Sequence, residues 1–262
     1  MESQLQARKK EIERRRKERR KKRRKILMRR LAVFFSICAV IVLVVLSLTV
    51  FFPVKTIVVE GDSPYSAEEI AKASKISAGQ NVFMAGNDAQ ANITTELPYI
   101  SSVKIKRSFP SKITISVTKN KAEVCYQDGQ NFYLCDKAGK ILEARTQSPE
   151  NMLLIIGCEA EEPKAGTTIK FKNSEKSELA QKIQKIMAEG SVNVNTINVT
   201  DPLDVYLVVD ERFTVALGSS ANTEEKTSQL IQMIAKIDSG LKGKIDLSYW
   251  TSDNPRGIFT QE

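Results

Sequence analysis

Ser101-Ser102-Val103-Lys104 and Ser252-Asp253-Asn254 are the two segments of this chain whose residue types and spacing match a serine acyl-transfer site. In such a site the serine attacks a carbonyl carbon, and a lysine one helical turn further on helps to take its proton. The pattern needs a third segment, K-T-G, which is absent. It also needs S-x-x-K to open a helix, whereas Ser101 begins a strand-like run, in which residues i and i+3 face opposite sides. The chain has no histidine, so the usual general base near neutral pH and the usual zinc ligand are missing. The acidic pairs Glu68/Glu69 and Glu161/Glu162 are adjacent rather than facing, which suits a helix N-terminus and a solvated loop better than paired acid and base. No catalytic residue, cofactor or metal site is expected.

The strongest physical signal lies upstream of these residues. Sixteen Lys and Arg lie between Arg8 and Arg30, and they run into 22 uncharged residues, Leu31 to Phe52, of which 16 are Leu, Ile, Val or Phe. Those 16 favour a bilayer by about 5 to 10 kcal/mol on an insertion scale. As a helix the stretch is about 33 Å long, enough to cross a hydrocarbon core of roughly 30 Å. Pro53 ends it. The positive-inside rule puts residues 1–30 in the cytoplasm and the remainder outside. A cleaved signal peptide would have a shorter apolar region and a small-x-small site; Ser47-Leu48-Thr49 only approaches one, so the helix is read as a retained anchor.

The overall charge of +9 conceals a division. Residues 1–30 hold 16 of the 40 basic and four of the 31 acidic residues, giving +12; the outer part keeps 24 basic and 27 acidic, or −3. Nothing outside offers a phosphate-neutralising stripe, so nucleic acid is not an expected partner, and the basic run reads as a topology determinant near anionic headgroups. Cys125, Cys135 and Cys158 lie outside, an odd number. A two-residue turn at Asp128-Gly129 would set Cys125 opposite Phe132 and Cys135 opposite Ala122, so buried thiols are expected rather than a bridge.

Downstream, Val54 to Glu60 reads as a strand and Ser66-Ala67-Glu68-Glu69 as a capping box, opening a helix to about Lys75. Asp88 can cap a second helix through Ile93 to Leu97. Strands follow at Ile100–Ile105 and Ile113–Val117, giving β-α-α-β-β. From Lys121 the period becomes two: strands at Glu123–Tyr126, Phe132–Cys135, Lys140–Glu143 and Met152–Ile156, a helix at Ser174–Glu189, a hairpin about Asp210-Glu211, a helix at Thr223–Leu241, and a closing strand from Lys244 to Tyr249. The fold class is α+β: a basic cytoplasmic segment (1–30), one transmembrane helix (31–52), a β-α-α-β-β domain (53–120), a mixed α/β second domain (121–250) and a tail (251–262).

This order, with several local motifs, resembles the bacterial FtsQ/DivIB division family. Val54 to Gly61 looks like the opening strand of that family's POTRA domain, and Gly79-Gln80-Asn81-Val82-Phe83 like the turn between its helices. Leu97-Pro98-Tyr99-Ile100 through Arg107-Ser108-Phe109-Pro110 resembles its run into two strands. Leu134-Cys135-Asp136 through Gly139-Lys140 is similar to its second-domain hairpin, and Leu217-Gly218 with Glu225-Lys226 and Leu230 to its entry into the last helix. Where many relatives carry an arginine after the terminal "i-D-l", this chain has Ser248.

The resemblance implies a non-enzymatic scaffold at the division septum, binding FtsL-like and DivIC/FtsB-like bitopic proteins and through them governing septal peptidoglycan synthases. A POTRA protein of envelope assembly, spread around the cell, is the alternative. Partner contact is expected at Lys244, Ile245, Asp246, Leu247, Ser248, Tyr249 and Trp250, because a closing strand at or near a sheet edge can offer free amides and carbonyls. For Tyr249 and Trp250 a hydrophobic clasp over the last helix is the competing reading.

Overall fold

The computed structural model describes Met28, residues 30–47 and residues 51–262; most of the basic run lies outside them. Helix α1, Arg30–Ser47, has a mean hydropathy of 2.6 and buries none of its length within the protein. It is the one candidate membrane span among the described residues.

The chain falls into two compact units. The first comprises the residues up to Ile57 together with Ser77–Ala85 and Arg107–Ile113. Within it, two loops clamp the chain that follows α1. Val82 N–H donates to the Phe52 carbonyl, Val54 N–H to Gln80, Gly79 N–H to Val54, and Lys55 N–H to Ser111, at 2.7 to 2.9 Å. Arg107 holds the first loop from beneath, its guanidinium donating to the Val82 and Ala85 carbonyls at 3.1 and 3.0 Å. The turn and arginine motifs picked out in the sequence thus serve one another.

The second unit contains the remainder of a β-α-α-β-β module and the larger domain. β1 (Thr56–Gly61), α2 (Ala67–Ala73), α3 (Ala89–Glu96), β2 (Ile100–Ser108) and β3 (Lys112–Lys119) follow in order, and the sheet runs β1-β3-β2. The Ser66 capping box forms in full: Glu69 N–H reaches the serine hydroxyl, and the Glu69 carboxylate accepts from Ser66 N–H. Asp88 precedes α3 but makes no side-chain cap bond. Ile70, Ile93, Ile100, Val103, Ile113 and Ile115 are buried.

The larger domain is built on a nine-stranded sheet, β12-β11-β10-β9-β8-β7-β4-β5-β6. Its strands are β4 (Val124–Asp128), β5 (Asn131–Cys135), β6 (Ile141–Arg145), β7 (Leu153–Ile156), β8 (Val194–Asn198), β9 (Val205–Val209), β10 (Phe213–Gly218), β11 (Gly243–Asp246) and β12 (Ile258–Gln261). α4 (Ser174–Glu189) and α5 (Thr223–Ile234) cover one face. Ala180, Ile183 and Met187 of α4 and Leu230 of α5 join Ile155, Ile197, Leu207, Val215, Ile245 and Trp250 in a single core. β4–β7, β7–β8 and β10–β11 are parallel pairs.

Several expectations need correction. The β4–β5 turn centres on Gly129-Gln130, because Asp128 pairs with Asn131; Cys125 then faces Leu134 and Cys135 faces Val124. The two thiols lie on opposite faces of the sheet, and all three outer cysteines are free and buried. α5 stops at Ile234, well before Leu241: Lys236 and Ile237 make tighter bonds to Met233 and Ile234, and the poor helix formers Asp238-Ser239-Gly240 follow. β8 and β12 have no counterpart in the sequence reading. The closing strand, expected over Lys244–Tyr249 at or near an edge, is β11, which ends at Asp246 and lies one strand in from the edge, between β10 and β12.

Candidate partner-binding edge

The end of the large sheet is assembled from a small set of local devices. The register of β11 runs Gly243 to Asp246 against Phe213 to Ala216 of β10 in parallel, and against Gln261 to Ile258 of β12 in antiparallel sense. Ile245 and Leu247 are fully buried while Lys244 and Ser248 are exposed, as a period of two requires; Tyr249, beyond the end of the strand, departs from that alternation and is exposed as well. Asp246 ends the strand. Its carboxylate accepts from the Ser248 hydroxyl at 2.6 Å and the Ser248 N–H at 2.9 Å, which lowers its pKa. Gly218 adjoins this turn at a positive φ of 63°, and a Cβ there would lie 2.8 Å from Ser248 Cα.

Lys226 secures the same corner from α5. Its side chain is buried, and Nζ donates to the Leu217 and Ser219 carbonyls, both at 2.8 Å. Burial lowers its pKa. The Leu217-Gly218 and Lys226-Leu230 motifs therefore meet: two β-end carbonyls, a glycine at a bulge and one buried ammonium. The Asp136 motif has an analogous explanation. Its carboxylate accepts from the Ala138 and Lys140 amides at 2.9 Å and from Asn120 Nδ2 at 2.8 Å, closing the turn before β6.

Trp250 and Tyr249 separate sharply. Trp250 is 8% exposed and belongs to the core, whereas Tyr249 is 81% exposed. The burial that a clasp requires holds for Trp250 and not for Tyr249. Its indole N–H finds no acceptor among the described residues. Phe259 of β12 packs against this core, its ring 6.0 Å from Phe213 and edge-on to it.

The outermost strand is therefore β12. Glu262 N–H donates to Lys242 O at 3.1 Å, and in an antiparallel ladder every second residue bonds to the same neighbour. Residues 258, 260 and 262 consequently face β11. The backbone N–H and C=O of Phe259 and Gln261 point the other way, where no strand pairs with them among the described residues. Ile258 is 60% exposed beside them. This is an available edge of four residues.

The residues considered for chemistry are not brought together. Ser101 sits on β2, its hydroxyl donating to the Thr118 carbonyl at 3.1 Å, and Lys104 is three strand positions, about 10 Å, further along. Ser252 lies in the turn between Thr251 and Asn254. Burial pushes the thiols of Cys125, Cys135 and Cys158 up to about 11, 12 and 11, away from the reactive thiolate.

A helix long and apolar enough to cross a membrane, a β-α-α-β-β module and a mixed α/β domain follow one another along the chain. Residues 52–120 match the family model for the FtsQ-type POTRA domain, and residues 124–248 match that for the C-terminal part of the cell division protein FtsQ/DivIB. The chain belongs to the FtsQ/DivIB family of cell division proteins. It is 29% identical over 220 residues to the cell division protein DivIB of Clostridium acetobutylicum, covering 79% of this chain and 84% of that one. Identity with DivIB of Clostridium botulinum (strain Hall) is 28% over 216 residues, 79% and 83% of the two chains. With the cell division protein FtsQ of Corynebacterium glutamicum it is 24% over 192 residues, 71% and 82%.

Proposed function

We propose that the protein is a non-enzymatic scaffold of the division septum, anchored by α1 with residues 1–30 in the cytoplasm and the rest outside. Residues 31–52 form its span, 53–120 its POTRA domain and 121–250 its second domain. The tail, 251–262, supplies the edge on which an FtsL-like or DivIC/FtsB-like partner lays an extended segment. Lys244, Ser248 and Tyr249 offer side chains to that partner; Ile245, Leu247 and Trp250 hold the edge in place from the core, and Asp246 shapes the turn. Through those partners the scaffold helps to control septal peptidoglycan synthesis.

The observation that carries this reading is the free outer edge of β12, whose outward amides and carbonyls suit strand addition. A fluorescent fusion of the full chain in dividing cells tests the site of action. A ring at midcell is the expected result; an even distribution around the envelope would favour a general assembly role instead.

A further inference from the structure

Phe51, Phe83, Met84 and Phe109 are 70%, 44%, 73% and 56% exposed, an unusual density of bare apolar side chains for the first unit. They are not scattered. The ring of Phe83 lies 5.3 Å from that of Phe52 and 4.8 Å from that of Phe109, and Phe109 lies 5.9 Å from Phe52. Phe52 is the last residue of the apolar stretch, directly before Pro53. The loops bearing Phe83 and Phe109 are bonded to the backbone of residues 52–55, so the three rings form one body with the end of the anchor.

We propose that this aromatic cuff is a lipid-binding surface, seated in the headgroup and upper acyl region of the outer leaflet. The proposal rests on the reading of α1 as a membrane span. The polar layer on each side of a bilayer is about 5 to 7 Å thick. Rings centred 5.3 and 5.9 Å from Phe52 therefore lie within that layer when Phe52 marks the end of the hydrocarbon span. Phe side chains of membrane-surface segments bury about 5 to 10 Å into the boundary between headgroups and acyl chains. Two exposed lysines of the same unit, Lys55 and Lys112, can reach headgroup phosphates. Lipid is the occupant because covalent continuity with the span places the rings there without any partner. A second copy of the chain or another protein would have to displace lipid already in contact.

The test uses the full chain in vesicles of phosphatidylcholine and phosphatidylglycerol, as parent and as Phe83→Trp. The tryptophan emission added by the substitution is read against that of Trp250. Lipids brominated close to the headgroup end of the acyl chain are expected to remove about half of the added emission, and lipids brominated near the chain terminus much less. Trp250 emission in the parent should not change. Flotation with the vesicles reports the anchor separately. A protein that floats but shows no quenching at position 83 overturns the cuff and leaves the anchor standing; one that does not float overturns both. Absent quenching together with cross-linking between copies at position 84 would assign the surface to self-association instead.

Discussion

A single buried ammonium decides how the last helix meets the sheet. Lys226 donates to two carbonyls at the end of β10, so Lys226→Met, similar in length but without the donor, takes one hydrogen bond from each. The expected cost is about 1 to 3 kcal/mol, read as a lower thermal midpoint; an unchanged midpoint would show that water replaces the lysine freely. A second residue-scale test concerns pH. Glu143 is held below its ordinary 4.5 first by its hydrogen bond from Arg145 and then by that from the Tyr99 hydroxyl, at 2.9 and 2.7 Å. A depressed carboxylate contributes stability above pH 4.5 that is lost as pH falls through the folded value. Tyr99, raised from 10 to about 12 chiefly by burial, contributes stability below pH 10 that is lost on the way to 12. Glu143 is partly exposed, so the effect is discounted to about 0.5 to 1 kcal/mol. Midpoints of parent and Glu143→Gln should differ by a constant amount above pH 5 and converge below it; parallel curves throughout would remove the carboxylate from the account.

At the scale of elements, Trp250 and β12 give the sharpest tests. Trp250→Ala opens a large void and should cost about 3 to 5 kcal/mol. Trp250→Phe removes an indole N–H that finds no acceptor among the described residues, so it should cost much less; equal losses would mean that the indole nitrogen is partnered. Gln261→Pro deletes an outward amide of β12 without removing a bond to β11. It should weaken binding to the outer part of a DivIC-like partner by about 0.5 to 1.5 kcal/mol while leaving the midpoint in place. Elements with a strong period were legible in the sequence: α4 runs from Ser174 to Glu189 as its apolar spacing requires, and the Ser66 box caps α2. β8 was missed because Asn193, Asn195 and Asn198 dilute its apolar signal, which Val194 and Ile197 alone carry. β12 was missed because Ile-Phe-Thr-Gln is too short to show alternation, and only its pairing with β11 makes it a strand. That omission displaced the candidate edge by one strand.

For the whole molecule, the charge division of +12 against −3 about the apolar stretch predicts an outward C-terminus. The family's motifs were legible as residues, but their physical roles were not, since each depends on a distant segment: Arg107 on the Val82 loop, Lys226 on the end of β10, Asp136 on Asn120. No local pattern encodes such meetings. The central claim, that the free edge of β12 receives a septal partner, is tested most directly by placing a photo-cross-linking residue at Gln261 of the full chain in dividing cells. A cross-link is expected from position 261 to a small bitopic division protein, and none from position 145 on the opposite edge strand, β6. A cross-link from position 145 with none from 261 would contradict it.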